Sequence, residues 1–162
     1  VSAAAAAFGR LETCLWRDRV ISARTKVLIY RAAVVTTLLY AAETWTIYSR
    51  HLCKLNKFHL RCLRRILGIS WQDRISNLEV LRRANIEDIE ALITRSQLRW
   101  TGHVLRMSNN RIPKIMFFGE LAHGSRAQGG QFKRFKDNIK KHLQEGGADV
   151  SRWELIAMDS YG

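Results

Sequence analysis

Few residues of this 162-residue chain have both the types and the spacing that chemistry requires. His51, Cys53, His59 and Cys62 have side chains that suit zinc. Their spacing does not suit it, because all four fall on one predicted helix, whose rise separates the outer pair by ~16 Å. Ligands strung along a rod cannot close a tetrahedron, so buried cysteine beside partly exposed histidine is the expected arrangement. Glu87, Asp88 and Glu90 are the only clustered acids. Hydrolytic or phosphoryl-transfer chemistry needs carboxylates that converge on a metal or a substrate. These three instead open a predicted helix, where they complement its dipole. No phosphate-cradling GxxxxGK[ST], no HExxH and no GxSxG occurs. No catalytic residue, metal site or cofactor is therefore expected within this stretch.

Positive charge is the property present in quantity. Lys and Arg number 27 against 14 Asp and Glu, a formal net charge of +13. The charge is segregated along the chain: 6 bases and 0 acids lie between Glu43 and Asp73, 5 and 0 between Glu90 and Glu120, and 6 and 1 from Ala122 to Gln144. In the first of these segments Arg50, Lys54, Lys57, Arg61, Arg64 and Arg65 fall within an arc of about 100° on a helix, opposite Leu52, Leu55, Cys62, Leu63 and Ile66. With no acid at i,i+4, such a face repels itself unless a polyanion screens it. A merely solvated cationic face is the alternative, but three segments share the bias. Phosphate-backbone binding is the reading they favour, through those six residues together with Arg95, Arg99, Arg106, Arg126, Lys133, Arg134 and Lys136. Nothing resembles a base-reading code, so the contacts are expected to be indifferent to sequence. Trp45 and Trp71 flank the basic helix and could stack on bases, although core packing is the more ordinary role for lone aromatics at helix ends. A membrane partner is not expected, since the apolar face of the helix is needed for the core.

Helices must position these side chains. A single proline, few turn dipeptides and abundant Leu, Ala and Arg predict an all-α chain, and 47% hydrophobic residues supply a core. Ser22 is a plausible N-cap, followed at helical spacing by Val27, Leu28, Ala32, Val35, Leu38, Leu39 and Ala42. Arg31 aside, that helix is apolar nearly all round, which predicts a central position or a neighbouring domain against it. Its uncharged stretch, Ala32 to Ala42, is too short for the ~20 residues that span a bilayer. Ser49 is expected to cap the basic helix and Gly68 to end it. Ser76-Asn-Leu-Glu79 has the form of a capping box and opens a helix over 77–84 that Asn85 can stop. The next helix, from about Glu87 to Met107, groups Ile89, Leu92, Ile93, Trp100, Val104 and Met107, with Arg95, Arg99, His103 and Arg106 along the edge. Ser108 to Pro113 breaks the pattern, and four glycines between 119 and 130 predict a linker. A final basic helix over about 131–143 is expected to bury Phe132, Phe135, Ile139 and Leu143.

These elements predict an N-terminal connection over 1–21, a helical bundle over 22–108, a linker over 109–130 and a basic helical extension over 131–162. Three cysteines without a CxxC pair argue for a reducing, intracellular compartment. The opening Val1-Ser-Ala-Ala-Ala-Ala-Ala has neither an initiator Met nor the basic start of a secretory signal, so the chain is expected to be a piece of a longer one.

Several ordered blocks extend this reading. Lys26-Val-Leu-Ile-Tyr-Arg-Ala-Ala-Val-Val-Thr-Thr-Leu-Leu-Tyr-Ala-Ala-Glu-Thr-Trp45, then Leu55-Asn-Lys-Phe-His-Leu-Arg-Cys-Leu-Arg-Arg-Ile-Leu-Gly-Ile69 and Gln97-Leu-Arg-Trp-Thr-Gly-His-Val-Leu-Arg-Met107, resemble the region after the palm in reverse transcriptases of non-LTR (LINE-type) retrotransposons. Arg111-Ile-Pro-Lys114, Phe118-Gly-Glu-Leu121, Gly129-Gly-Gln131 and Arg134-Phe-Lys-Asp137 continue the series in the same order.

The resemblance implies an RNA-directed DNA polymerase with an endonuclease elsewhere in the polyprotein, working by target-primed reverse transcription in the nucleus. This chain would be its thumb and C-terminal extension, and its partners an RNA template, a DNA primer, their hybrid duplex and the polymerase palm. The family's catalytic aspartates and magnesium belong to a palm motif of Ala-Asp-Asp type that these residues lack, so polymerase activity from this chain alone is not expected. The apolar helix after Ser22 would pack partly against that palm, and the isolated chain is expected to self-associate. The end departs from the family: where relatives continue past the Trp153-Glu154 block with Asp-Arg and a further Trp, this chain has Asp159-Ser-Tyr-Gly162, as expected of truncation or decay. Two other readings stay open, a stand-alone helical nucleic-acid-binding protein derived from such an element and a protein-interaction bundle that meets acidic partners.

Overall fold

The computed structural model describes residues 1–118 and 134–147. Among the described residues the structure is all-helical, with no strand. The helices are α1 (Ser2–Arg10), α2 (Ala23–Ile29), α3 (Thr36–Leu38), α4 (Ser49–Leu67), α5 (Asn77–Ala84), α6 (Ile89–Arg106), α7 (Ile112–Phe118) and α8 (Phe135–Glu145). π-helical turns occupy Glu12–Trp16 and Tyr30–Val35, and 3-10 turns occupy Ala42–Thr44 and Trp71–Asp73. No helix among the described residues is long and apolar enough to cross a membrane. The chain forms two compact units, one of Val1–Ala41 with Ile47–Ile93 and one of Ala42–Thr46 with the chain from Thr94 onward, so the division falls inside α6. The glycine-bearing part of the expected linker lies outside the described residues.

In the first unit the helix ends follow local capping chemistry. Ser22 Oγ accepts from the Thr25 N–H at 3.2 Å and starts α2. Ser76 Oγ accepts from the Glu79 N–H at 3.3 Å and starts α5, which Asn85 ends in the left-handed conformation. Only half of the expected capping box forms. The Glu79 carboxylate turns instead to Arg82 and Arg83, at 2.6 and 2.8 Å, and these two, Arg82 first, hold its pKa down to about 2. Ser49 is the first residue of α4 rather than its cap, a place taken by Tyr48 without a side-chain capping hydrogen bond. Gly68 closes α4 with φ +67°, and the Ile69 N–H reaches back to the Arg64 carbonyl at 2.9 Å.

The helix after Ser22 is not apolar all round in its packing. Tyr30–Val35 is wound as a π turn, which opens the period of an otherwise α-helical run and rotates the face that follows. The core therefore takes Lys26, Val27, Tyr30, Val34, Val35 and Leu38, while Leu28 and Ala32, expected inside, are exposed. Lys26 is buried because its ammonium donates to the main-chain carbonyls of Trp16, at 3.1 Å, and Asp18. Residues 1–21 are themselves folded: Phe8 stacks on Trp16 at 4.9 Å between centroids, and the Trp16 indole N–H donates to the Phe8 carbonyl at 2.8 Å.

In the second unit Gln97, fully buried on α6, donates to the carbonyls of Ala42 and Trp45 at 3.3 and 2.8 Å. Leu105 and Ile139 form a core with Leu98, Phe117, Phe118, Phe135 and Leu143 against it. Lys114 closes the end of α6 by donating to the carbonyls of Leu105 and Met107, both at 2.8 Å. The break expected up to Pro113 lasts only to Arg111, since Pro113 sits in the first turn of α7, where a missing N–H costs nothing. The final helix begins at Phe135, and Phe132 lies outside the described residues.

α4 meets the first unit's core through His59, which is fully buried and joined from Nδ1 to the Tyr30 hydroxyl at 2.9 Å. The Cys62 thiol lies alongside, and burial pushes it up to about 11 and the Tyr30 hydroxyl higher still. Burial also lowers the His59 pKa to about 4, against smaller opposing effects of the Glu87 carbonyl and the Asp88 charge. Nε2 is buried without a well-formed hydrogen bond. Because the unfolded ring titrates near 6.5, its unfolded form binds more protons between the two values. Stability is then complete above pH 6.5 and falls as the pH drops toward 4, by a total of about 3 kcal/mol from this residue. Urea unfolding across pH 4–8 should show that loss, and His59→Gln should show a lower midpoint without it.

Candidate nucleic-acid interface

α4 carries the sequence-predicted cations on one side and the core on the other. Leu55, Phe58, His59, Leu60, Cys62, Leu63 and Ile66 are buried, whereas Arg50, Lys54, Lys57 and Arg61 are exposed. These four extend over ~16 Å of helix, a length matched by about five nucleotides of a duplex strand. None has an acidic partner among the described residues. Arg50 and Arg61 rest their guanidinium groups over Tyr48 and Phe58, at 5.9 and 5.6 Å from the ring centroids. That contact steadies each side chain without neutralising it.

The other two cations of the predicted face have internal work. Arg64 is half-buried, and its Nη2 donates to the Ile75 carbonyl at 2.8 Å and to Asn77 Oδ1 at 2.9 Å. Arg65 pairs with Glu12, which Arg17 also reaches at 3.3 Å. The hydrogen bond from Arg65 is the main reason the Glu12 carboxyl sits below its ordinary value. The absence of acids at i,i+4 thus did not leave Arg65 unpaired, because its partner comes from a distant part of the chain.

His51 and Cys53 are exposed on α4 while His59 and Cys62 are buried, so the four point to different environments. This reverses two expectations: Cys53 is outside because it falls near the helix N-terminus beyond the packed face, and His59 is inside because Tyr30 satisfies its ring. Among the described residues no group of three or more His, Cys, Asp or Glu side chains could hold a metal ion. Asp88, expected inside the first turn of the helix, instead precedes α6 and accepts from the Ala91 N–H at 2.8 Å.

In the second unit Arg95, Arg99 and Arg106 are exposed on α6 at spacings that keep them within about 40° of one another. Arg106 lies back over Gly102, 3.3 Å from where a Cβ would stand. On α8 Arg134 is exposed at the N-cap, and the half-buried Lys136 holds its ammonium 4.9 Å from the Phe118 centroid. Arg126 and Lys133 lie outside the described residues.

A cavity in the first unit and the exposure of one tryptophan add to these cations. An open cavity of about 530 Å³ is lined by apolar residues that include Val27, Leu28 and Leu67 and by Arg24, Arg31 and Arg83. Trp71, expected to pack, is 85% exposed, and Trp45 is half-buried.

No protein-family model matches the chain, and no solved structure matches it. The chain is similar to an uncharacterized transposon-derived protein of Caenorhabditis elegans, 25% identical over 149 residues that cover 88% of this chain and 53% of that protein. It spans about half the length of the curated relative it matches.

The different partners of neighbouring arginines give a test of their separate roles. Arg64→Ala should lower stability by about 1–2 kcal/mol, since it strips a charge-assisted donor from a carbonyl and an amide. Arg61→Ala should leave the unfolding midpoint nearly unchanged. Urea denaturation of the two variants beside the parent chain distinguishes these outcomes.

Proposed function

We propose that the chain derives from a transposon and serves as the thumb-like, non-catalytic part of a non-LTR (LINE-type) reverse transcriptase, gripping the backbone of the RNA template–DNA primer hybrid. The observation that carries this reading is the stripe of Arg50, Lys54, Lys57 and Arg61, exposed along one rigid helix and without acidic partners among the described residues. A polymerase thumb needs such a surface because it must hold every sequence equally, and phosphates are the only feature all duplexes share. The similarity to a transposon-derived protein supports the origin.

In this reading the template–primer lies along α4, and the second unit carries a cationic stripe of its own in Arg95, Arg99 and Arg106. The palm covers the side of α2 and the π turn after it that exposes Leu28 and Ala32. Polymerisation and its magnesium belong to that palm, and the setting is nuclear.

Binding of the purified chain to an RNA–DNA hybrid across a salt series tests the proposal. Each contacted phosphate contributes ~0.9 to the log–log slope, so replacing Arg50, Lys54, Lys57 and Arg61 together with Ala should reduce the slope by up to ~3.6. An unchanged slope in the quadruple variant, or no binding by the parent chain, would assign α4 a solvated face and leave the protein-interaction reading in its place.

A further inference from the structure

We propose that Trp71 is a stacking platform for an unpaired base at the end of the duplex that α4 carries, an inference that rests on the backbone-binding reading above. Indole is the largest apolar side chain, yet Trp71 is 85% exposed. Its exposure is built rather than accidental. Ser70 Oγ accepts from the Gln72 N–H at 3.2 Å, and the Asp73 carboxylate accepts from the Ser70 N–H at 2.6 Å, which fixes the 3-10 turn that begins at Trp71. Arg74 leaves that turn at φ +48°, a conformation that costs a side chain other than glycine. Arg64 then holds Ile75 and Asn77 from α4 itself. The turn is thus closed by its own hydrogen bonds, and the segment that follows it is held by the same helix that carries the cationic stripe.

Position and charge suit a base rather than a phosphate. Trp71 follows Gly68 by three residues, which keeps its Cα within ~11 Å of the end of α4. At that end the cations of α4 are engaged, Arg64 by the turn and Arg65 by Glu12. A backbone tracked by Arg50 to Arg61 therefore meets no free guanidinium of α4 beyond Arg61, and the exposed indole of Trp71 follows close to that end of the helix. The Asp73 carboxylate, directed at the Ser70 N–H, is spent within the turn. Arg74 is exposed beside it and suits the phosphate that accompanies the base. Stacking on an indole is tolerant of sequence, because every base has a π-face, so the site matches the sequence-indifferent character of the stripe.

The test compares a blunt RNA–DNA hybrid with hybrids that carry a short single-stranded extension, using the full chain, Trp71→Ala and Trp71→Phe. The extension should tighten binding by the parent chain roughly tenfold. Trp71→Ala should lose that gain while keeping its affinity and salt slope for the blunt hybrid, and Trp71→Phe should retain most of it. An equal gain in Trp71→Ala, or no gain in the parent chain while blunt binding persists, overturns the stacking site and leaves the backbone reading standing. Failure of the parent chain to bind any hybrid overturns both. Weakened binding by Trp71→Ala to blunt and extended hybrids alike also overturns it, since the indole would then be supporting the whole surface.

Discussion

A hydrogen bond between two buried polar side chains decides which way the basic helix faces. The His59 ring lies about 180° around α4 from Arg50, so seating it on the Tyr30 hydroxyl turns Arg50, Lys54, Lys57 and Arg61 outward together. A buried imidazole and phenol are costly unless each satisfies the other, and only one rotation of the helix permits that. A hydrophobic stripe alone would tolerate rotations of some tens of degrees. The polar contact is stricter, and the electrostatic surface inherits its strictness from the core.

The same economy runs through the rest of the molecule. Lys26, Arg64, Gln97 and Lys114 are long side chains whose nitrogens donate to main-chain carbonyls at turns and helix ends. Three of them are cations, and each is withdrawn from any surface that could meet a polyanion. A net charge of +13 therefore overstates what a phosphate backbone would encounter. The relevant quantity is the subset that is both exposed and without an acidic partner among the described residues, which on α4 shrinks from six residues to four.

What the sequence discloses and what it hides divide along physical lines. The two faces of α4, its stop at Gly68, the cap at Ser22 and the limits of α5 were legible, because periodicity and capping are local. Partners were not. Tyr30 reaches His59 across 29 positions and Arg65 reaches Glu12 across 53, and no spacing rule announces either. The exposure of Trp71 escaped for a related reason, since it depends on a turn fixed by Ser70, Asp73 and Arg64 rather than on the residue's own apolarity. Of the remaining nucleic-acid residues read from the sequence, Arg95, Arg99, Arg106, Arg134 and Lys136 take defined positions on α6 and α8, where charge composition alone gave only a bias.

The π turn at Tyr30–Val35 bears on how this chain should be compared with others. A π turn holds one residue more than the α-helical turn it replaces, so it behaves as a single-residue insertion absorbed without breaking the helix. Everything beyond it is rotated by about 100° relative to what precedes it. A relative that lacks the extra residue would align with a one-position gap inside this segment, and the register of its lipophilic positions would disagree on the two sides. Where such a gap falls, the residues equivalent to Leu28 and Ala32 should change character in step with it, because the turn is what separates their face from that of Val34, Val35 and Leu38.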